Sequence, residues 1–208
     1  MTYQEPEFLP WDGRRTPVTF IGGYLGAGKT TAINEVMAAA EHPIAVIVND
    51  AGAINIDSAL IKGCDGDVIE LSNGCVCCTS VDEMGAALDL IRSRPEPPDH
   101  LVIELSGIAE PSGVVPWGSS AGFLLDGVVT VVAADQLMDD DLPRWIQLHL
   151  EAQIAAADLV VLTKTDLVAG FVEFFGDLKK SERGQPWGST LNLRDSRAEP
   201  GRIFGGDP

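Results

Sequence analysis

The sequence predicts an α/β fold in which a mostly parallel sheet is flanked by helices in three layers and opened by a phosphate-binding loop. Three observations carry this. Short apolar runs at residues 44–48, 100–104, 128–133 and 158–163 read as strands buried on both faces of a parallel sheet. Helical spacing alternates with them, at Ile33, Val36 and Met37 and again at Met84, Leu88 and Ile91. Residues 23–30, Gly-Tyr-Leu-Gly-Ala-Gly-Lys-Thr, keep the G-x-x-x-x-G-K-[ST] spacing between a strand and a helix. Together these describe a P-loop nucleoside triphosphatase domain, and 208 residues suffice for one such domain with a substantial core.

The first strand is expected around Val18, Phe20 and Ile21, and the loop after it has a physical reason for each residue type. Gly23, Gly26 and Gly28 let the backbone wrap closely around an anion, with successive N–H groups and the positive end of the next helix aimed at it. Ala27 lies in the same cradle, Lys29 adds a mobile positive charge, and Thr31 is placed to reach a phosphate. The Thr30 hydroxyl suits a Mg²⁺ ion, a hard cation that wants oxygen ligands at ~2.1 Å.

Strand 44–48 runs into Asn49, Asp50 and Gly52, a polar segment at the sheet edge where ligands bind in open α/β folds. Asp50 and Asp57 are candidates for a nucleotide-sensing loop or a Mg²⁺ shell, against the reading of two solvated loop aspartates. A short strand at 68–71 leads through Cys75, Cys77 and Cys78 to a helix expected near Ser80, where Ser80 and Glu83 form a capping box and Pro95 follows the end. Strand 100–104 delivers Glu104 at its carboxyl end, where such enzymes place the acid that supports Mg²⁺. Residues 109–112 suggest a weak helical stretch. Residues 139–141, three aspartates, read as acid at a helix start, with metal binding as the alternative, and the helix is expected to run through Ile146, Leu150 and Ile154 to Ala157.

In Thr163-Lys164-Thr165-Asp166, the Asp166 carboxylate can accept from guanine N1–H and N2–H₂, groups that adenine does not offer, and Lys164 joins the candidate nucleotide-binding set. A helix is expected from Phe171 to Lys180. Residues 1–15 are expected to be an N-terminal arm, 16–183 the nucleotide domain and 184–208 an irregular tail.

A net charge of −17 argues against a nucleic-acid partner, since phosphate backbones are bound through Lys and Arg excess. No apolar run approaches the ~20 residues that span a bilayer, and Glu5, Glu7 and Asp12 are unlike a signal segment, so a cytoplasmic protein without membrane contact is expected. Three of the four cysteines fall within residues 75–78. Three thiolates there can converge on one Zn²⁺ or Co²⁺ and leave a fourth position open, which suits transfer. Redox chemistry and a buried structural cluster are the alternatives. Cys64 is the remaining thiol, and the scattered His42, His100 and His149 read as ordinary surface or core residues.

The phosphate loop, residues 49–57, Gly74-Cys-Val-Cys-Cys78, Glu104-Leu-Ser-Gly-Ile-Ala-Glu-Pro111 and Thr163-Lys-Thr-Asp166 together resemble the CobW-type metallochaperone GTPases, over about residues 17–170. The resemblance implies a GTP-hydrolysing domain related to the nickel-inserting GTPases of hydrogenase and urease maturation. It implies Lys29, Thr30 and Thr31 on phosphate and Mg²⁺ and Glu104 toward Mg²⁺; with the loop position of Asp50 the candidate Mg²⁺ set is Thr30, Asp50 and Glu104, and Lys29 and Glu104 are the candidate catalytic residues. It further implies Asp166 on guanine, Cys75, Cys77 and Cys78 on the metal, and a client metalloprotein as partner, with homo-oligomerisation open. The family's switch loop usually reads Asn-Glu-Phe-Gly-Glu; here Asp50, Ala51 and Ala53 replace its Glu, Phe and second Glu. The family's usual C-terminal domain is not expected in this chain. A nucleotide-dependent interaction switch with structural cysteines and a small-molecule kinase are the rival readings.

Overall fold

In a computed structural model, residues 11–48, 68–70, 81–169 and 189–192 are described. Among them seven strands form one sheet: β1 (Thr16–Gly22), β2 (Ile44–Val48), β3 (Val68–Glu70), β4 (His100–Glu104), β5 (Phe123–Ala133), β6 (Leu159–Thr163) and β7 (Ser189–Asn192). Their order is β3-β2-β4-β1-β5-β6-β7, and every neighbouring pair is parallel. The helices are α1 (Lys29–Ala39), α2 (Val81–Arg92), α3 (Ala134–Leu137) and α4 (Arg144–Ala155).

Alternation along the strands makes the layers. Phe20, Ile47 and Ile103 pack with Met84, Leu88 and Ile91 of α2, whereas Ile21, Val46 and Val102 pack with Ile33 and Met37 of α1 on the opposite face. Ile154 of α4 packs with Val132 of β5, which shares a face with Val128 in the α2 cluster, so α2 and α4 cover the same side. From β1 the chain crosses one face to β2, while β4 leads on to β5 by the other. The neighbours β1 and β4 therefore flank a topological switch point, where open α/β sheets leave a crevice at their carboxyl ends.

The structure extends or corrects several expectations. β5 begins at Phe123, five residues before the apolar run, because its first half alternates exposure at Leu124 and Asp126 and is not continuously apolar. Residues 109–112 give no α-helix; short 3₁₀ turns occupy Pro111–Gly113 and Val115–Ser119. The aspartates at 139–141 do not open α4, since Pro143 stands at its N-cap; Asp139 Oδ1 instead accepts from the Asp141 amide at 3.0 Å in a turn. Ser189–Asn192, inside the stretch expected to be irregular, pairs with β6 as an edge strand too short to show a pattern. Of the N-terminal arm, Trp11 is buried, stands edge-on to Phe123 and donates Nε1–H to the Arg94 carbonyl at 2.9 Å. The helix expected at 171–180, the Ser80 cap and the bulk of the tail lie outside the described residues. No helix among the described residues is long and apolar enough to cross a membrane.

At the amino end of the sheet, His100 is buried and its Nε2 lies 2.8 Å from Thr19 Oγ1. Thr19 Oγ1 in turn donates to Asp126 Oδ2 at 3.2 Å, so Nε2–H is the donor to Thr19. Burial pushes the imidazole below the ordinary histidine range, opposed in part by the Asp126 charge. The unfolded chain then takes up this proton near pH 6.5 while the native state still resists it. Stability from this residue is full above that pH and falls as pH drops toward the lowered native value, by at most ~1.4 kcal/mol per pH unit. Urea melts between pH 7.5 and 5.5 are expected to show a shallower pH slope for His100→Gln than for the unsubstituted chain. Equal slopes would show that His100 does not contribute.

Candidate functional site

The carboxyl end of β1 opens into the phosphate loop under a backbone constraint at Gly23. Its φ is +136°, and a Cβ there would run into the Val131 carbonyl oxygen of β5. Gly28, with φ +96°, stands at the N-cap of α1 with no side-chain cap, and no acid occupies the first turn. The positive end of the α1 dipole thus faces the loop, where it favours an anion.

Lys29 is buried for a lysine, and its Nζ donates to the carbonyls of Gly23 at 2.9 Å and Tyr24 at 3.4 Å. The ammonium is thereby held inside the loop that it would serve. Thr30 Oγ1 donates to Glu104 Oε1 at 3.3 Å across the β1/β4 crevice, and Glu104 is 6% exposed. Two oxygen ligands from two elements meet there, a donor set that fits a hard divalent cation. Thr31 is exposed on the first turn of α1, and Ala27 is fully buried.

Other elements fix the loop from the side. Thr163 Oγ1, at the end of β6, donates to the Ala27 carbonyl at 2.6 Å. Gln136 Nε2, in α3, donates to the Leu25 carbonyl at 2.6 Å. Beyond β6, Lys164 adopts a left-handed conformation (φ +52°) and its Nζ pairs with Asp135 Oδ2 at 3.3 Å, before the 3₁₀ turn Thr165–Leu167 that presents the exposed Asp166. The segment that carries Lys164 and Asp166 and the phosphate loop are therefore linked through Thr163, one residue before Lys164.

The loop after Glu104 is held from α4. Gln153 is fully buried, and its Nε2 lies 3.3 Å from the Gly107 carbonyl, 3.1 Å from the Ala109 carbonyl and 3.0 Å from His149 Nε2. His149 also faces the Gly107 carbonyl at 3.3 Å and stands edge-on to Tyr24 of the phosphate loop, 6.2 Å between ring centroids. Gly107 has no room for a side chain, since a Cβ would sit 2.8 Å from the Leu25 amide.

The structure thus brings Gly23, Gly26, Ala27, Gly28, Lys29, Thr30, Thr31, Glu104, Lys164 and Asp166 to one edge of the sheet. Asp50, Asp57, Cys75, Cys77 and Cys78 lie outside the described residues. Their flanking elements are described: β3 is parallel to β2, so its last residue, Glu70, lies at that same edge. In the strand order β3 is three places from β1, about 14 Å at ~4.8 Å per strand. Among the described residues no group of three His, Cys, Asp or Glu side chains is disposed to hold a metal ion. Sequence reasoning missed Gln136, His149 and Gln153. For Gln153 a signal existed: it falls beside Ile146, Leu150 and Ile154 on the buried face of α4, where an amide demands a partner.

The sequence matches the family described as CobW/HypB/UreG, nucleotide-binding domain, over residues 17–184. It is 37% identical over 184 residues to the zinc chaperone CobW of Sinorhizobium sp, covering 74% of this chain and 52% of that protein. It is 36% identical to the zinc chaperone YjiA of Escherichia coli (strain K12), covering 75% and 51%. The chain spans about half the length of these curated relatives. Among solved structures, HypB from Helicobacter pylori in complex with nickel shares the fold, with a TM-score of 0.62 at 19% identity over 93% of this chain and 85% of that one.

Gly23→Ala is expected to lower stability by ~2 kcal/mol or more through strain and the clash with Val131, read from urea melts. A neutral result would show that the loop tolerates another path.

Proposed function

Since this chain belongs to the CobW/HypB/UreG family of nucleotide-binding domains, we propose that it is a GTP-hydrolysing metallochaperone that carries zinc or a similar divalent ion on the loop of Cys75, Cys77 and Cys78 and delivers it to a client protein. The observation that carries this reading is that relatives named zinc chaperones align with about three quarters of the chain. Its supporting geometry is the shared sheet edge: β1 ends there before the phosphate loop, and β3, the strand that precedes the cysteines in sequence, ends there too.

In this reading the α1 amides receive the phosphates, and the Lys29 ammonium moves from the Gly23 and Tyr24 carbonyls onto the terminal phosphate oxygens. Thr30, Glu104 and Asp50 would hold Mg²⁺, which when bound neutralises charge on the phosphates. Thr31 adds a phosphate contact. Asp166 accepts from guanine N1–H and N2–H₂, and Lys164, pinned by Asp135, lies alongside the base-reading turn. ATP would leave the Asp166 carboxylate without those donors, so GTP is the preferred nucleotide. Loss of the γ-phosphate relaxes the loops after β2 and β4, and zinc, the cargo, is released as that edge loosens.

Calorimetric titration of Zn²⁺ into the reduced chain, loaded in turn with GDP and a non-hydrolysable GTP analogue, is expected to give different affinities. Equal affinities would reject coupled delivery, since linkage requires a free-energy difference. Cys77→Ala is expected to weaken zinc binding at least tenfold with GTP affinity unchanged, and Lys29→Ala to do the reverse. Zinc affinity unchanged in Cys77→Ala would remove the cysteine loop as the cargo site.

A further inference from the structure

We infer that the cavity between α3 and α4 is a docking site for a basic amphipathic segment of a partner protein. The cavity measures about 590 Å³, within the 300–1,000 Å³ range of pockets that take a small ligand or a few side chains of one segment. Its floor is apolar: Leu150 and Ile154 come from the buried face of α4, and Leu142 from the turn before it. The rim is acidic, with Asp139 and Asp140 on one side and Glu151 on the other, all three exposed.

An apolar floor inside a carboxylate rim selects a guest with the reverse pattern, aliphatic side chains flanked by lysine or arginine. Two further features point to cationic donors. Gln136 lines the cavity, and its Oε1 is buried with no hydrogen-bond partner among the described residues, an acceptor that an ammonium or guanidinium group can satisfy once the amide turns toward the cavity. Arg144 already shows how the rim engages a cation: it pairs with Glu151 at 3.3 Å, through side chains that are both more than half exposed. Such an exposed pair is weak, so an incoming basic residue can displace it. Gln136 also donates to the Leu25 carbonyl, which sets the guest one side chain away from the phosphate loop. The inference does not draw on the zinc reading and is tested without metal.

The probe is a fluorescein-labelled leucine–lysine peptide with helical spacing, titrated by anisotropy against the full chain in zinc-free buffer. A peptide of the same composition with scrambled order controls for attraction to an acidic protein. The ordered peptide is expected to bind at least fivefold more tightly than the scrambled one. Asp139→Asn with Asp140→Asn is expected to weaken it about fivefold, while Arg144→Gln, which frees Glu151, strengthens it. The same change of charge on the opposite face, Glu35→Gln with Glu41→Gln, is expected to leave binding unchanged. Equal binding of the scrambled peptide, or equal losses from the two double variants, would overturn the inference.

Discussion

The site depends on one close approach, that of the Gly23 backbone to the Val131 carbonyl. β1 and β5 pair in parallel as far as Gly22 and Thr130, and the chain must then turn away over the next residues of β5 with no space for a side chain. Everything after the turn inherits its direction from it. α1 starts five residues beyond Gly23's neighbour Tyr24, its bare N-terminus stands at the β1/β4 switch point, and the first hydroxyl behind Lys29 falls opposite Glu104. A wider turn would carry α1 off the crevice and separate the two oxygens that the parallel register has brought together.

Loops without secondary structure still have to satisfy their backbone acceptors, and here side chains from distant elements do it. Carbonyls of Gly23 and Tyr24 accept from Lys29, Leu25 from Gln136, Ala27 from Thr163, and Gly107 and Ala109 from Gln153. Each such bond is modest in net free energy, about 1 kcal/mol, but leaving the acceptor buried and unmade costs more. The phosphate loop is consequently tied to β6 and α3, and the loop after Glu104 to α4. These ties hold the edge in shape before any nucleotide arrives, which reduces the ordering cost at binding.

What the sequence made legible follows the same division. Continuous apolar runs located β2, β4 and β6 to within a residue, because strands buried on both faces need no polar positions. The phosphate-loop spacing placed Lys29 and Thr30 correctly on α1, since glycine and charge at fixed offsets are local facts. The first half of β5 and the edge strand β7 were not legible, one because exposed Leu124 and Asp126 interrupt its apolar pattern, the other because four residues carry too little pattern. Nor were the ties of Gln136 and Gln153, which join residues 111 and 46 positions apart and exist only once the sheet order is set. Partners of that kind are a property of topology, and a single chain read in one dimension holds no local trace of them beyond an amide on an apolar face.

The resting position of Lys29 adds a last consequence. With its ammonium on the Gly23 and Tyr24 carbonyls, the loop carries its own counter-charge internally and remains closed around it. An ammonium has three donors, so a phosphate chain in this loop would meet one already shared with two carbonyls, on the loop that also bears Leu25 and Tyr24. Tyr24 stacks edge-on against both Trp145 and His149, and His149 shares its ring nitrogen with Gln153 beside the loop after Glu104. The phosphate loop therefore meets α4 through ring contact, and α4 meets the loop after Glu104 through the Gln153 amide. The loop that holds Lys29 and the helix that carries Leu150, Glu151 and Ile154 are in this way parts of one packed network.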